Sequence, residues 1–279
     1  MRGRQDFMAT PIYDSHTHSD NSPDGYHSVT FLCENAIEKG MAGFALTDHC
    51  DINVYFQDKY DKTIRQSNFE MMKAKSIFSD RLELSAGVEL GQPLQALENA
   101  EQVLASYDFD FVICSLHNNL NQQDYYFINY NDPELDIKDL FDRYFQELLE
   151  TIAWGKFDVL GHLTYPLRYM NGIYKKNYSF LDHYYDEIVA VMKGVIQQGK
   201  GIEINTSGLR QPVGVTLPDL PYIKLYKQLG GEILTIGSDS HTAQDIGAGI
   251  ADGILIAKEA GFDYYTFFQD RKPKMIKID

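Results

Sequence analysis

Seven short apolar runs recur along this chain, and nearly every one leads into a histidine or a carboxylate. They fall at residues 11–16, 43–47, 82–88, 109–116, 157–160, 201–205 and 233–236. Between them lie stretches with apolar residues at helical spacing, such as Val29, Leu32, Cys33, Ala36 and Ile37, or Leu140, Tyr144, Leu148 and Ile152. A short apolar run bounded by turn residues reads as a buried strand, and a 3.6-residue period reads as an amphipathic helix. Their alternation predicts parallel strands joined by helical crossovers. Seven such strands in 279 residues favour a closed barrel over an open sheet. In barrels of this kind the chemistry gathers where the strands end. Here His16, His49, Glu89, His117, His162 and Asp239 each follow a predicted strand directly.

The first strand end is the richest. In Tyr13-Asp14-Ser15-His16-Thr17-His18-Ser19-Asp20 the two histidines are two residues apart, so a strand would turn both to one face. Neutral imidazoles in that relation suit one divalent ion, and nitrogen ligands accept Zn, Fe or Mn. Six of the eight histidines lie at or just past predicted strand ends. A barrel would gather them on one rim, with enough imidazoles and carboxylates for more than one metal. His27 and His183 fit no strand end and read as structural or surface residues.

In that order and at that spacing, His16-x-His18, Asp24, Thr47-Asp48-His49, Glu89, His117, Gly161-His162 and Asp239-x-His241 resemble the PHP (polymerase and histidinol phosphatase) superfamily. The match spans nearly the whole chain, and its length is similar to the stand-alone histidinol-phosphatase branch. The resemblance implies an α/β fold, a distorted (β/α)7 TIM-like barrel in a single domain, with three divalent metal ions (Zn, Fe or Mn). Carried over by position, His16, His18, Glu89 and Asp239 would hold the first ion. Glu89, His117 and His162 would hold the second, with Glu89 bridging. Asp24, His49 and His241 would hold the third, or Asp24 or His241 would act as a general acid there. The implied reaction is hydrolysis of a phosphate monoester, by this branch L-histidinol phosphate, giving L-histidinol and phosphate. A loop arginine is also similar to the family pattern, which makes Arg168 the expected phosphate clamp. A guanidinium grips two phosphate oxygens at once.

Other positions carry weaker expectations. Asn205 and Glu203 alternate onto one face of a strand, and Asn205 is favoured either as a support behind a metal ligand or as a substrate contact. Asp48 would orient a ligand or, preferably, cap a turn, Asp14 and Asp20 would support ligands or face water, and Tyr125, Tyr126, Tyr165 and Tyr169 would pack in the core or wall the pocket. Loops at 50–66, 118–133 and 163–179 are expected to set substrate choice. Helices are expected near 67–79, 95–106, 180–198 and 250–260, with a short one after Asp245 and an extended tail.

Composition narrows the partners. A net charge of −15 argues against nucleic acid, whose phosphates need clustered Lys and Arg. No run of 18 apolar residues and no signal peptide is read, so a cytoplasmic protein without a membrane partner is expected. Cys33, Cys50 and Cys114 form no CxxC pair, and Cys33 and Cys114 read as small core residues. Residues 1–8 are expected to be a disordered extension, with Met8 an alternative start, and 9–279 one catalytic domain. Other readings stay open: a sister phosphoesterase for nucleotides, sugar phosphates or phosphotyrosine, a metal-binding module without turnover, or an amidohydrolase. Oligomeric state is left open.

Overall fold

The chain folds around seven parallel strands, each carrying one of the apolar runs. In this computed structural model residues 10–279 are described; the expected extension at 1–8 lies outside them. The strands are β1 (Tyr13–Thr17), β2 (Gly43–Leu46), β3 (His49–Asp51), β4 (Glu83–Gly91), β5 (Phe111–Ser115), β6 (Val159–Leu160), β7 (Gly201–Asn205) and β8 (Leu234–Gly237). The sheet runs β1-β2-β4-β5-β6-β7-β8, and all of its pairings are parallel. The short β3 continues the line of β2 and pairs with the outer half of β4. It was not expected from the sequence, because its three residues carry no alternating pattern.

The barrel closes where His16-x-His18 meets Asp239-x-His241. No ladder joins β8 to β1; instead Thr17 and Ser240 form a parallel bridge. The His18 N–H donates to Ser240 O at 2.8 Å, and the Asp239 N–H donates to His16 O at 2.8 Å. Asp14 reinforces the seam: its buried carboxylate accepts from Ser238 N–H, Ser238 Oγ and Gly247 N–H. Gly237 is required there, since a Cβ would collide with the Glu203 carboxylate and with His16. Asp239 itself takes a left-handed conformation, φ 53°, which Asp tolerates better than most residues.

The crossover helices bury one apolar stripe each against the sheet, as in Ile137–Trp154, where Leu140, Phe141, Tyr144, Phe145, Leu148 and Ile152 face inward. The expected helix at 180–198 is two, Phe180–His183 and Tyr185–Gln197, broken at Tyr184. Tyr60–Phe78 starts seven residues earlier than the periodicity suggests, so the 50–66 loop is shorter than expected. The 163–179 loop is a helix from Tyr165 to Gly172, begun by Pro166 in its first turn. Leu220–Gln228 is a further helix, and the turn after Asp245 is not one; helix resumes at Ile250–Glu259. The tail forms an antiparallel hairpin, β9 (Tyr264–Gln269) with β10 (Lys272–Lys277). All three cysteines are buried and free. No helix among the described residues is long and apolar enough to cross a membrane.

Candidate metal centre

The strand ends, with Asp24 from the loop after β1, bring nine side chains together, and all nine are the predicted ligands. His16 and His18 leave β1 on one face, His49 opens β3, and Glu89 stands opposite it in register on β4. His117 and His162 follow β5 and β6, and Asp239 and His241 follow β8. Glu89 is the hub. Its Oε2 lies 2.7 Å from His49 Nδ1, 3.4 Å from His16 Nε2 and 3.7 Å from His18 Nε2. Its Oε1 lies 2.9 Å from His162 Nε2 and 3.3 Å from His117 Nε2. One carboxylate therefore faces two groups of imidazoles, one with each oxygen. Asp239 Oδ1 closes the first group at 3.4 Å from His18 Nε2. Asp24 joins His241 at 3.2 Å and His49 at 3.7 Å near the mouth.

Three sets of side chains offer ligand atoms lying within 4.8 Å of one another: His16, His18 and Asp239; His49, Glu89 and His117; and His18, His49 and His241. The first matches the expected first site. The other two give His49 a double position, next to Glu89 as well as next to His241.

These donors fit a divalent cation. His16 Nε2, His18 Nε2, His49 Nδ1 and Glu89 Oε2 are buried and have no hydrogen-bond partner, although each points at the others. Buried polar atoms are rarely left so. Burial and the facing His241 and His49 rings push the His18 imidazole well below its usual range, so it is a neutral lone-pair donor. Burial would push the Glu89 carboxyl up, but the His49, His16 and His117 imidazoles hold it well below the usual carboxylate range. Burial opposes ionisation of Asp239 too, and His16, His18 and Arg168 overcome it, so that carboxyl also stays well below its usual range. The set is anionic oxygen plus imidazole nitrogen, the donor chemistry of Zn, Fe and Mn sites.

A ring of supporting groups aims the ligands, and most of it escaped the sequence reading. His16 Nδ1 is held by Glu203 Oε1 at 2.7 Å, and Glu203 Oε2 also accepts the His162 N–H at 2.8 Å. Glu203 is fully buried, so it and Asn205 both reach the site, where the alternation of β7 pointed. Asn205 Nδ2 donates to Glu203 and to Asp239 Oδ2, each at 3.2 Å, which places it behind the predicted ligands, one of the two positions expected for it. His117 Nδ1 is held by Asp51 Oδ1 at 2.9 Å, and Gln92 Oε1 accepts the His117 N–H. His49-x-Asp51 has the same two-residue spacing as His16-x-His18, which was the available signal for Asp51.

Asp48 proves to be a buried anchor. It accepts from Ser19 N–H, Ser19 Oγ, Ser22 Oγ and Ser67 Oγ, and Ser22 Oγ lies 3.1 Å from His18 Nδ1. Asp20 is exposed. His27 accepts the Ala243 N–H, and His183 is exposed and stacks on Tyr178, within the structural or surface roles expected of them.

Above the ligands is a cavity of about 310 Å³, lined by Asp24, His49, His117, His162, Asp239 and His241, and walled by Tyr165, Tyr169, Arg168 and Asp124. Arg168 sits on the helix Tyr165–Gly172, not on a loop, and its helix turns it into the cavity. Its Nη2 donates to Ser207 Oγ at 2.8 Å and Asp239 Oδ2 at 3.0 Å, while its Nε is buried and unpartnered. Tyr125 is packed in the core and Tyr126 is exposed, leaving Tyr165 and Tyr169 as the aromatic wall.

The PHP domain family matches residues 14–207, which hold seven of the nine predicted ligands together with Asp51 and Glu203. The chain belongs to the PHP family. Relatives of this PHP protein run its full length. It is 30% identical to a Clostridium acetobutylicum protein named "Probable histidinol-phosphatase", over 94% of this chain and 99% of that one. It is 27% identical to the histidinol-phosphatase of Lactococcus lactis subsp. lactis, over 95% and 98%. A crystal structure of the Lactococcus lactis histidinol phosphate phosphatase, complexed with Zn, L-histidinol and phosphate, superposes with a TM-score of 0.77 at 23% identity. That superposition covers 94% of this chain and 98% of the other, and shows a shared fold.

Proposed function

We propose that this PHP protein is a metal-dependent phosphatase that hydrolyses L-histidinol phosphate to L-histidinol and phosphate. The observation that carries the reaction class is the convergence of unpartnered buried ligand atoms on Glu89 beneath a cavity that also holds Arg168. The substrate reading is supported by the histidinol-phosphatase names of relatives that align from end to end.

In this reading His16, His18, Glu89 and Asp239 hold one divalent ion; Glu89, His117 and His162 a second; and Asp24, His49 and His241 a third. The ions would acidify a water to make a nucleophile at neutral pH and neutralise the phosphoryl oxygens. The chain supplies the rest. Glu203 and Asp51 fix the tautomers and ring planes of His16 and His117 by taking the proton on the nitrogen away from the cavity. Arg168, with its free Nε and its contact to Asp239, grips the phosphoryl oxygens beside the first ligand group. Where no ion occupies the outermost group, His241 Nε2, 3.2 Å from Asp24 Oδ2, is the donor that protonates the leaving alkoxide. Tyr165 and Tyr169 narrow the entrance and keep bulk water from the ester.

The test is phosphate release by purified protein with added Mn or Zn, from L-histidinol phosphate beside nucleotide, sugar and tyrosine phosphates. A kcat/KM for histidinol phosphate at least tenfold above every other ester is expected. A preference for a nucleotide or sugar ester would keep the chemistry and reject the substrate. Metal binding with no turnover of any ester would reject both.

A further inference from the structure

Two carboxylates that line the cavity take no part in the chemistry above, Asp58 and Asp124; Asp58 is exposed to solvent, whereas Asp124 is partly buried. Asp124 lies in the long 118–133 segment and lines the cavity with Tyr165, Arg168 and Tyr169. It opens the short turn Tyr125–Phe127, where its Oδ1 accepts the Tyr126 N–H at 2.7 Å. The Tyr165 hydroxyl reaches its two oxygens at 3.2 and 3.4 Å, and Tyr169 donates in turn to Tyr165 at 2.9 Å. All of these donors are neutral. The Arg168 guanidinium, which lines the same cavity, is paired with Asp239, and His117, hydrogen-bonded to Asp51, is a neutral ligand in the reading above. A carboxylate partly withdrawn from water and held only by neutral donors is offset best by a cation.

The same tyrosine marks the opposite pole of the cavity. The Arg168 guanidinium stacks over the Tyr165 ring at 5.0 Å, and that ring stands 4.8 Å from His162 and 5.1 Å from His117. Tyr165 therefore has a cation and the metal ligands about its ring, and an uncommitted anion at its hydroxyl. A phosphate ester seated with phosphorus toward the ligands and Arg168 projects its alcohol portion along this ring toward Asp124.

We infer that Asp124 is the specificity carboxylate of this site. It receives the ammonium of a phosphorylated amino alcohol, and so favours esters with a cation a few bonds from the ester oxygen over neutral or anionic ones. The inference rests on the phosphatase reading of the metal centre and narrows its substrate class. L-Histidinol phosphate meets the requirement, since its amine is on the carbon next to the phosphorylated one. Sugar phosphates and nucleotides do not.

The test compares Asp124→Asn with the parent on two esters of one skeleton, L-histidinol phosphate and its analogue with hydrogen in place of the amine. The carboxamide oxygen still accepts from Tyr126 N–H and Tyr165, so the turn is kept. KM for the amine-bearing ester should rise roughly tenfold or more, the scale of a hydrogen bond to a charged group, with kcat nearly unchanged. For the deaminated ester kcat/KM should move less than about twofold. Equal losses on both esters, or no loss on either, would overturn the inference. Should the parent hydrolyse p-nitrophenyl phosphate but not histidinol phosphate, the substrate assignment alone falls. The pair 2-aminoethyl phosphate and ethyl phosphate then has to show the same split.

Discussion

At the N-terminal end of the barrel Asp110 and Asp158 stand just before β5 and β6, while at the other end Glu89 and Asp239 stand at the close of β4 and just beyond β8. All four carboxylates are buried. Asp110 accepts from Ala86 N–H at 2.7 Å, Asp270 N–H at 3.1 Å and Lys75 Nζ at 2.6 Å. Asp158 accepts from Val112 N–H at 2.8 Å and Arg271 Nε at 2.6 Å. Each of these lower carboxylates has a cation and backbone donors from its own chain. The upper carboxylates face the imidazoles of His16, His18 and His49, whose inward nitrogens have no hydrogen-bond partner, and only Asp239 has a cation beside it, Arg168. The same residue types thus do opposite work: the lower end is complete and ties the hairpin to the barrel, whereas the upper end is complementary to something the chain does not itself provide.

Glu89→Gln should separate the two ends most sharply. The amide keeps the shape of the side chain but loses the charge that faces both imidazole groups. Turnover should fall on the order of a hundredfold or more, with fewer metal ions bound per chain by elemental analysis and an unchanged circular dichroism spectrum. Near-normal turnover would break the comparison, because the hub of the upper end would then be dispensable.

Asp51→Asn should have a smaller effect that metal can repair. Losing the carboxylate behind His117 Nδ1 should weaken metal affinity by roughly ten- to a hundredfold, read by competition with a chromophoric chelator. Excess Mn or Zn should restore most of the kcat. A loss that metal does not restore would place Asp51 among the reacting groups.

These residues also mark where the sequence was legible. Six of the nine predicted ligands were readable because each follows an apolar run, and strand ends in a parallel barrel share one rim whatever the loops do; Asp24, in the loop after β1, came only from the family resemblance. Glu203 and Asp51 were not assigned their roles because a second carboxylate behind an imidazole has no spacing rule of its own; it is chosen by register across neighbouring strands, such as His49 opposite Glu89. Arg168 was placed in a loop because Tyr165–Gly172 is too short to show a helical period, although Pro166 marks its start. The earlier start of Tyr60–Phe78 was hidden by its polar first turns, which pack only Tyr60 and Ile64 inward. For Asn205 the strand alternation left two roles open, and the structure shows its amide supporting Asp239.

Arg271→Ala addresses the lower end and should have the smallest effect on function. The guanidinium meets Asp158 and its backbone N–H meets Asp110 O, so the substitution leaves a buried carboxylate without its cation while the backbone link stays. The cost should be about 2–3 kcal/mol, a fall in Tm of several degrees, with kcat, KM and metal content per folded molecule unchanged. The pH dependence of that cost is a further check. Burial pushes the Asp158 carboxyl above its usual range, and Arg271 pulls it back. Without Arg271 the carboxyl rises further, so the folded chain takes up this proton more readily than the unfolded chain does. A group raised in the folded state destabilises it above the unfolded pKa, and the penalty fades as pH falls through the folded pKa. The difference in Tm between variant and parent should therefore narrow as pH is lowered from about 7 toward 5. A gap that widened instead, or a loss of metal with the loss of Arg271, would mean that the two ends of the barrel are not independent.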